Sequence, residues 1–228
     1  MLITGASSGI GAATARRVVA AGWRVALGAR SEDKLAELAT GLGGDEAALA
    51  VRCDVTEWDD QQAFVAQALE RFGRLDAVFA NAGFGAKRGF TEETVEHWRA
   101  MVDTNVYGAA LTIRATLPHF RETGTGHYFL TGSVAGRVPL PGSLYSSTKW
   151  AITGMGQSLR GELHMDERTS TVRVTLVEPG MVGTPFFHEP KHGALEADDI
   201  ARAVLYALEQ PPHVDVNELL IRPVSQPI

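Results

Sequence analysis

Two hydrophobic periods alternate along this chain. Short runs rich in β-branched and aromatic residues recur at LIT (2–4), WRVALGA (23–29), LAVRC (49–53), LDAVFA (75–80), HYFLT (127–131), TVRVTLV (171–177) and ELLIR (218–222). Between them lie amphipathic stretches of helical length, such as ATARRVVAAG, SEDKLAELATGL and DDQQAFVAQALERFG. Strands alternating with helices predict βαβ units, a parallel sheet and right-handed crossovers. Gly22, Gly41 and Gly73 stand where helix C-termini are expected. Thr56, followed by acidic residues, reads as a helix N-terminus. No repeat, low-complexity segment or linker interrupts the pattern, so residues 1–228 read as a single domain. The first strand begins almost at Met1 and is very short, which raises the expectation of further native residues upstream.

The turn after the first strand is TGASSGIG (4–11), a G-x-x-x-G-x-G pattern built on Gly5, Gly9 and Gly11. A tight glycine turn lets backbone approach a pyrophosphate, and the following helix offers free N–H groups and a positive dipole end. Gly5, Ser7, Ser8, Gly9, Ile10 and Gly11 are therefore candidate cofactor-binding residues; the competing reading is a plain glycine-rich βα turn. A carboxylate at the end of the second strand would bind a ribose 2′-hydroxyl and repel a 2′-phosphate. The strand ends instead at Ala29, followed by Arg30, and a guanidinium suits a phosphate. This favours NADP(H) over NAD(H), against the reading of Arg30 as a solvated loop residue. Asp54, with Val55 beside it, ends the third strand, where it is placed to meet adenine or else to cap the turn at Thr56.

Composition mainly excludes. The chain has 228 residues, 45% of them hydrophobic and 21% charged, as in ordinary globular domains. A net charge of −6 argues against a broad nucleic-acid-binding face. No apolar run is long enough to span a membrane, and MLITGASSGIG lacks the basic start and long apolar core of a signal peptide. Cys53 is the lone cysteine, and His119, His127, His188 and His192 are scattered, so no metal site is expected and the histidines read as surface or loop residues. A cytoplasmic protein is the simple expectation.

YSSTK (145–149) carries the strongest chemistry. On a helix, Tyr145 and Lys149 share a face one turn apart. That is either an amphipathic turn with a snorkelling lysine or a phenol held beside a cation. An unperturbed tyrosine titrates near pH ~10, and a neighbouring ammonium favours its phenolate. Ser133 lies 12 residues upstream at the end of a strand, where α/β sheets place ligands.

Taken in order, TGASSGIG (4–11), DVT (54–56), NAG (81–83), Asn105 within DTNVYG, Ser133 within TGSVAG, YSSTK (145–149), and PG followed by Thr184 (179–184) resemble the classical short-chain dehydrogenase/reductase family over nearly the whole chain. The resemblance implies an α/β fold: a Rossmann-type, doubly wound, seven-stranded parallel sheet with helices on both faces. It implies NAD(P)(H)-dependent interconversion of an alcohol and a carbonyl. Tyr145 would be the general acid/base. Lys149 would lower its pKa and hold the nicotinamide ribose, Ser133 would bind the substrate oxygen, and Asn105 would anchor a water in a proton relay. Asn81, Ala82 and Gly83 would line the adenosine ribose and stabilise the central sheet. Pro179, Gly180, Val182 and Thr184 would hold the nicotinamide. A dimer or tetramer is implied, with homotetramers usual.

Residues 181–199 resemble the family's substrate lid, shortened, because the next helix begins near Glu196. Val134, Ala135, Pro139, Leu140, Phe84, Met181, Phe186 and Phe187 are candidate pocket walls. Arg137 is a candidate for a substrate carboxylate, against the default of a solvated loop arginine. PGMVGT and the chain's end resemble the serine 3-dehydrogenase and 3-hydroxy acid dehydrogenase branch, pointing to a small alcohol, hydroxy acids among them. The alternatives are a non-catalytic NADP(H)-binding redox sensor and an extended-type epimerase, although only about 80 residues follow Tyr145 to build a larger substrate domain.

Overall fold

The computed structural model describes residues 1–187 and 192–226. The apolar runs form seven strands: β1 (Leu2–Thr4), β2 (Val25–Ala29), β3 (Ala48–Arg52), β4 (Ala77–Ala80), β5 (His127–Thr131), β6 (Arg173–Pro179) and β7 (Glu218–Ile221). They pair in parallel throughout, in the order β3-β2-β1-β4-β5-β6-β7. The helices are α1 (Gly9–Ala20), α2 (Glu32–Gly41), α3 (Trp58–Phe72), α4 (Val95–Val102), α5 (Ala109–Thr123), α6 (Leu144–Met165) and α7 (Ala197–Leu208).

β1, β2, β4, β5 and β6 read as apolar runs because both of their faces are buried, while the edge strands β3 and β7 are partly exposed. Leu2, Val78, Tyr128, Leu130 and Leu176 join one core with Phe64 of α3, Phe120 of α5 and Leu159 of α6. Their neighbours Ile3, Phe79, Phe129 and Val177 join a second core with Val18 of α1, Leu35 of α2 and Val204 of α7. Each fully buried side chain of this size stabilises the fold by about 1.5–3 kcal/mol. Gly28 sits inside β2 because a Cβ there would come within 2.5 Å of the Phe64 ring.

The helix ends depart from expectation at one place. Gly73 takes the left-handed cap of α3, Gly22 turns just after α1, and Gly41 is the last residue of α2, with Gly43 (φ 107°) in the turn that follows. Thr56 caps nothing: α3 begins after Glu57, and the Thr56 N–H and hydroxyl both donate to Asp54 Oδ1, at 3.1 and 2.8 Å. His127 is not on the surface. It is buried at the start of β5, 2.7 Å from Thr175 Oγ1 and stacked on Phe129. His119 is half-buried against Leu75, His192 is exposed, and His188 lies outside the described residues.

Strand order reverses between β1 and β4, which opens a crevice at the carboxyl ends of the sheet. Thr4–Gly5, Arg30, Asp54, Asn81, Ser133 and Gly180 all follow or close strands on that edge.

Candidate active site

The glycine loop is shaped by close approach. Gly5 (φ 64°) turns the chain out of β1, and a Cβ there would lie 2.8 Å from Ala82 Cα. A Cβ on Gly11 would lie 2.5 Å from Gly5 O. Gly9 (φ 55°) opens α1, and its Cβ would stand 3.3 Å from Thr184 Cβ, so the loop and the segment after β6 face each other across a narrow cleft. Ser8 precedes α1 without a side-chain cap, and the helix has no acidic residue in its first turn. Its N–H groups and dipole therefore present an anion cradle that fits a dinucleotide pyrophosphate. Ser7 is half-buried, Ser8 is exposed, and Ile10 packs against the second core.

Farther along the edge, the exposed Arg30 guanidinium lies 4.0 Å from Asp54 Oδ2. Arg30, Ser31, Glu32, Asp33 and Lys34 line an open depression. Asp54 Oδ1 is taken by the Thr56 turn, leaving Oδ2 toward Arg30. Val55 is buried, and a Cβ on Gly108 would lie 2.7 Å from its Cγ2.

Asn81 is the knot of the crevice. Its Nδ2 donates to Thr4 O and Gly5 O at 3.1 and 3.3 Å, and its Oδ1 accepts from Thr131 Oγ1 at 3.1 Å. One side chain thus ties the ends of β1, β4 and β5. Between α4 and α5, residues Asp103–Gly108 form a π-helical turn, a feature enriched at functional sites. It carries Asn105, whose amide clasps Phe84 (N–H to Oδ1 3.0 Å, Nδ2 to O 2.9 Å) and donates to Thr148 Oγ1 at 3.1 Å. Thr148 in turn donates to Tyr145 O at 2.7 Å. A Cβ on Gly83 would lie 2.9 Å from Asn105 Oδ1 and 3.7 Å from Lys149 Nζ, so Gly83 separates the two side chains.

Ser133, Tyr145 and Lys149 converge as their spacing implies. Ser133 caps the short turn Val134–Gly136 by accepting from Ala135 N at 3.1 Å, and donates to Pro179 O at 3.4 Å. The half-buried Tyr145 phenol lies beside the Ser133 hydroxyl, whose own proton goes to Pro179 O. Lys149 Nζ stands 5.6 Å from the Tyr145 ring centroid and donates to Thr131 O at 2.8 Å. The balance of forces on the phenol departs from expectation. Burial pushes Tyr145 up to about 12, and the Ser133 hydrogen bond acts against that rise. Burial lowers Lys149 to about 8. Desolvation outweighs the bonds that favour the phenolate, so the protein's own groups keep Tyr145 protonated at neutral pH.

After β6, the Gly180 N–H donates to Ile221 O at 2.7 Å, and Met181 N donates to Gln226 Oε1 at 2.8 Å. Val182 is buried and bridges to Leu195, which folds the segment back before α7 starts behind the Glu196–Asp199 capping box. Phe186 packs edge-on to Tyr145 with ring centroids 5.5 Å apart, and a Cβ on Gly85 would lie 2.8 Å from its ring. Arg137 is half-buried and not free for a substrate: its Nε donates to Glu178 Oε1 at 2.6 Å and its Nη2 lies 2.6 Å from Glu218 Oε1. Glu178, Thr148 and Gln226 escaped the sequence reading. A carboxylate ending the apolar run TVRVTLVEPG was the available signal for Glu178.

The short chain dehydrogenase family model matches residues 1–194. An uncharacterized oxidoreductase of Staphylococcus saprophyticus is 39% identical over 229 residues, covering 98% of this chain and 96% of its own. An alcohol dehydrogenase from the archaeon Thermococcus sibiricus, solved with 5-hydroxy-NADP, superposes with a TM-score of 0.88 at 34% identity, covering 100% of this chain and 97% of that one. The closed form of a serine dehydrogenase complexed with NADP+ superposes with a TM-score of 0.90 at 30% identity, again covering 100% and 97%.

Proposed function

This chain belongs to the short-chain dehydrogenase family, and from that premise we propose that it is an NADP(H)-dependent oxidoreductase interconverting a small alcohol and its carbonyl by hydride transfer. The observation that carries the reading is the convergence of Ser133, Tyr145 and Lys149 beside the glycine cradle. A bound reduced nicotinamide supplies the hydride. The chain's own residues do the rest. Ser133 and Tyr145 point two hydroxyl donors at one oxygen, which is what a carbonyl acquiring negative charge requires. Tyr145, held protonated by burial, donates the proton in the reduction direction. Lys149 keeps positive charge beside the phenol and opposes the cost of the phenolate left behind. Asn105 fixes the loop after β4 against α6 through Phe84 and Thr148.

Arg30, directly after β2 in the position where a ribose-binding carboxylate would stand, supports NADP(H) over NAD(H), with Asp54, Glu32 and Asp33 the carboxylates nearby. Residues 181–199, of which 188–191 lie outside the described residues, act as a shortened lid, with Phe186 packed edge-on to Tyr145. A small hydroxy acid belongs to the substrate class, but Arg137 is engaged by two glutamates and does not receive its carboxylate. Exposed Val95, Tyr107 and Trp150 on the α4–α6 side support a dimer or tetramer. Among the described residues, no helix is long and apolar enough to cross a membrane.

The test is oxidation of NADPH and NADH by the purified protein with a panel of neutral and acidic carbonyls, alongside Tyr145→Phe. Turnover with NADPH, abolished in the variant, is the expected result. Tight cofactor binding without turnover on any carbonyl or alcohol would overturn the enzyme in favour of the sensor.

A further inference from the structure

We propose that the buried Glu178 and the half-buried Arg137 form a positioning device that sets Ser133 against Tyr145; the inference rests on the acid–base reading of those two residues. Glu178 is the penultimate residue of β6, its side chain fully buried, directly before Pro179, whose carbonyl accepts from Ser133. Arg137 directly follows the short turn that Ser133 caps. The 2.6 Å bond from Arg137 Nε to Glu178 Oε1 therefore closes a loop in the fold with Ser133 held inside it. Gly132, on the other side of Ser133, passes over the same carboxylate: a Cβ there would lie 3.0 Å from Glu178 Cγ.

The device also reaches the helix that carries Tyr145 and Lys149. Thr153 sits one turn after Lys149 on α6, and its hydroxyl lies 3.4 Å from Glu178 Oε1 and 3.3 Å from both Gly136 O and Lys149 O. A Cβ on Gly136 would lie 2.6 Å from Lys149 O, so the Ser133 turn and α6 meet backbone to backbone. Ser146, next to Tyr145, donates to Ala135 O at 2.5 Å. Arg137 is anchored in turn on Glu218 of β7. Glu178 Oε2 is buried without a hydrogen-bond partner, so Oε1 alone joins the three segments. A buried carboxylate bound through one oxygen is a costly choice if only stability is at stake, because an apolar side chain of the same length avoids that cost. What it supplies is a fixed direction between the segments bearing the two hydroxyl donors.

Four proteins test this: the parent, Glu178→Gln, Glu178→Met, and the double variant Glu178→Met with Arg137→Met. Glutamine keeps the acceptor oxygen and should retain kcat within about threefold, whereas methionine should lower kcat about tenfold or more with the cofactor KM unchanged, as misplacement of catalytic groups does. The double variant removes the unbalanced charge, so its Tm should recover toward the parent while kcat stays low. Ultraviolet titration of the phenol in the complex with NADP+ or NAD+, whichever binds, with Tyr145→Phe as the blank, needs no turnover. It should show the Tyr145 pKa higher in Glu178→Met than in the parent. An unmoved phenol pKa, or kcat that recovers together with Tm, would overturn the positioning role. A parent protein that turns over no substrate counts against the proposed reaction instead, and the titration still decides the role of Glu178.

Discussion

Replacing Ser133 by alanine separates the two directions of the reaction. The Ser133 hydroxyl is the protein group that opposes the burial-driven rise of the Tyr145 pKa toward about 12. A hydrogen bond to a charged partner contributes about 1.5–3 kcal/mol net. Removing it lets the burial-driven rise of the phenol's pKa go further. In alcohol oxidation the phenolate is the base, so at any pH below that pKa its population and the rate fall about 10- to 100-fold. In carbonyl reduction the phenol is the acid and is already protonated. That direction loses only the second donor to the oxygen, a factor that does not vary with pH. The assay is kcat against pH in both directions for Ser133→Ala and Ser133→Thr. The oxidation limb should move to higher pH in the alanine variant and return with threonine, while the reduction profile drops without changing shape. The lost cap on the Val134–Gly136 turn costs about 1 kcal/mol. Tm should then fall by about 2–4 °C, too little to mimic loss of activity. An oxidation limb that stays where it is in Ser133→Ala would refute the claim that this hydroxyl tunes the phenol.

Three other outcomes follow from the same geometry. Gly11→Ala would push a Cβ to 2.5 Å from Gly5 O, against backbone that cannot swing away. A cost of about 1–3 kcal/mol and a raised KM for either cofactor are expected, and a thermal shift at or above the parent's would contradict it. Arg30→Ala should raise the NADPH KM about 10- to 100-fold, the worth of one charge-assisted contact, and leave NADH within about twofold; equal loss with both cofactors would count against a 2′-phosphate contact. His127 is pushed down to about 2 by burial, so the unfolded chain takes up a proton below about pH 6.5 that the folded chain refuses. Its contribution makes stability fall as pH drops from 6.5, by up to about 1.4 kcal/mol per unit, whereas the raised carboxyls of Glu178 and Asp215 act in the opposite sense. Urea unfolding between pH 8 and 5 should show a shallower decline for His127→Gln than for the parent, and parallel declines would reject this account.

The fold was legible in the sequence because the inner parallel strands, buried on both faces, leave apolar runs, and each of the seven runs, the two edge strands included, became a strand. Boundaries were less legible where a side chain outbids the helix. Asp54 takes both Thr56 donors, and that moves the start of α3 to Trp58. The same division runs through the site. Tyr145 and Lys149 were readable because one helical turn sets their separation, and the glycine loop because close approach can only be met by glycine. The direction of the phenol's shift was not, because it is set by burial and by Ser133, which meets Tyr145 only in the folded chain. Nor was the fate of Arg137, whose partners lie on β6 and β7 and which no local pattern distinguishes from a solvated loop cation. Local spacing therefore determines which side chains are brought together. Contacts between distant strands determine the proton affinity of the phenol and whether a cation is left to meet a substrate. Two chains that share the Tyr145–Lys149 spacing and the Ser133 turn can thus run the same chemistry at different pH and on different substrates, according to what stands at positions 137, 178 and 186.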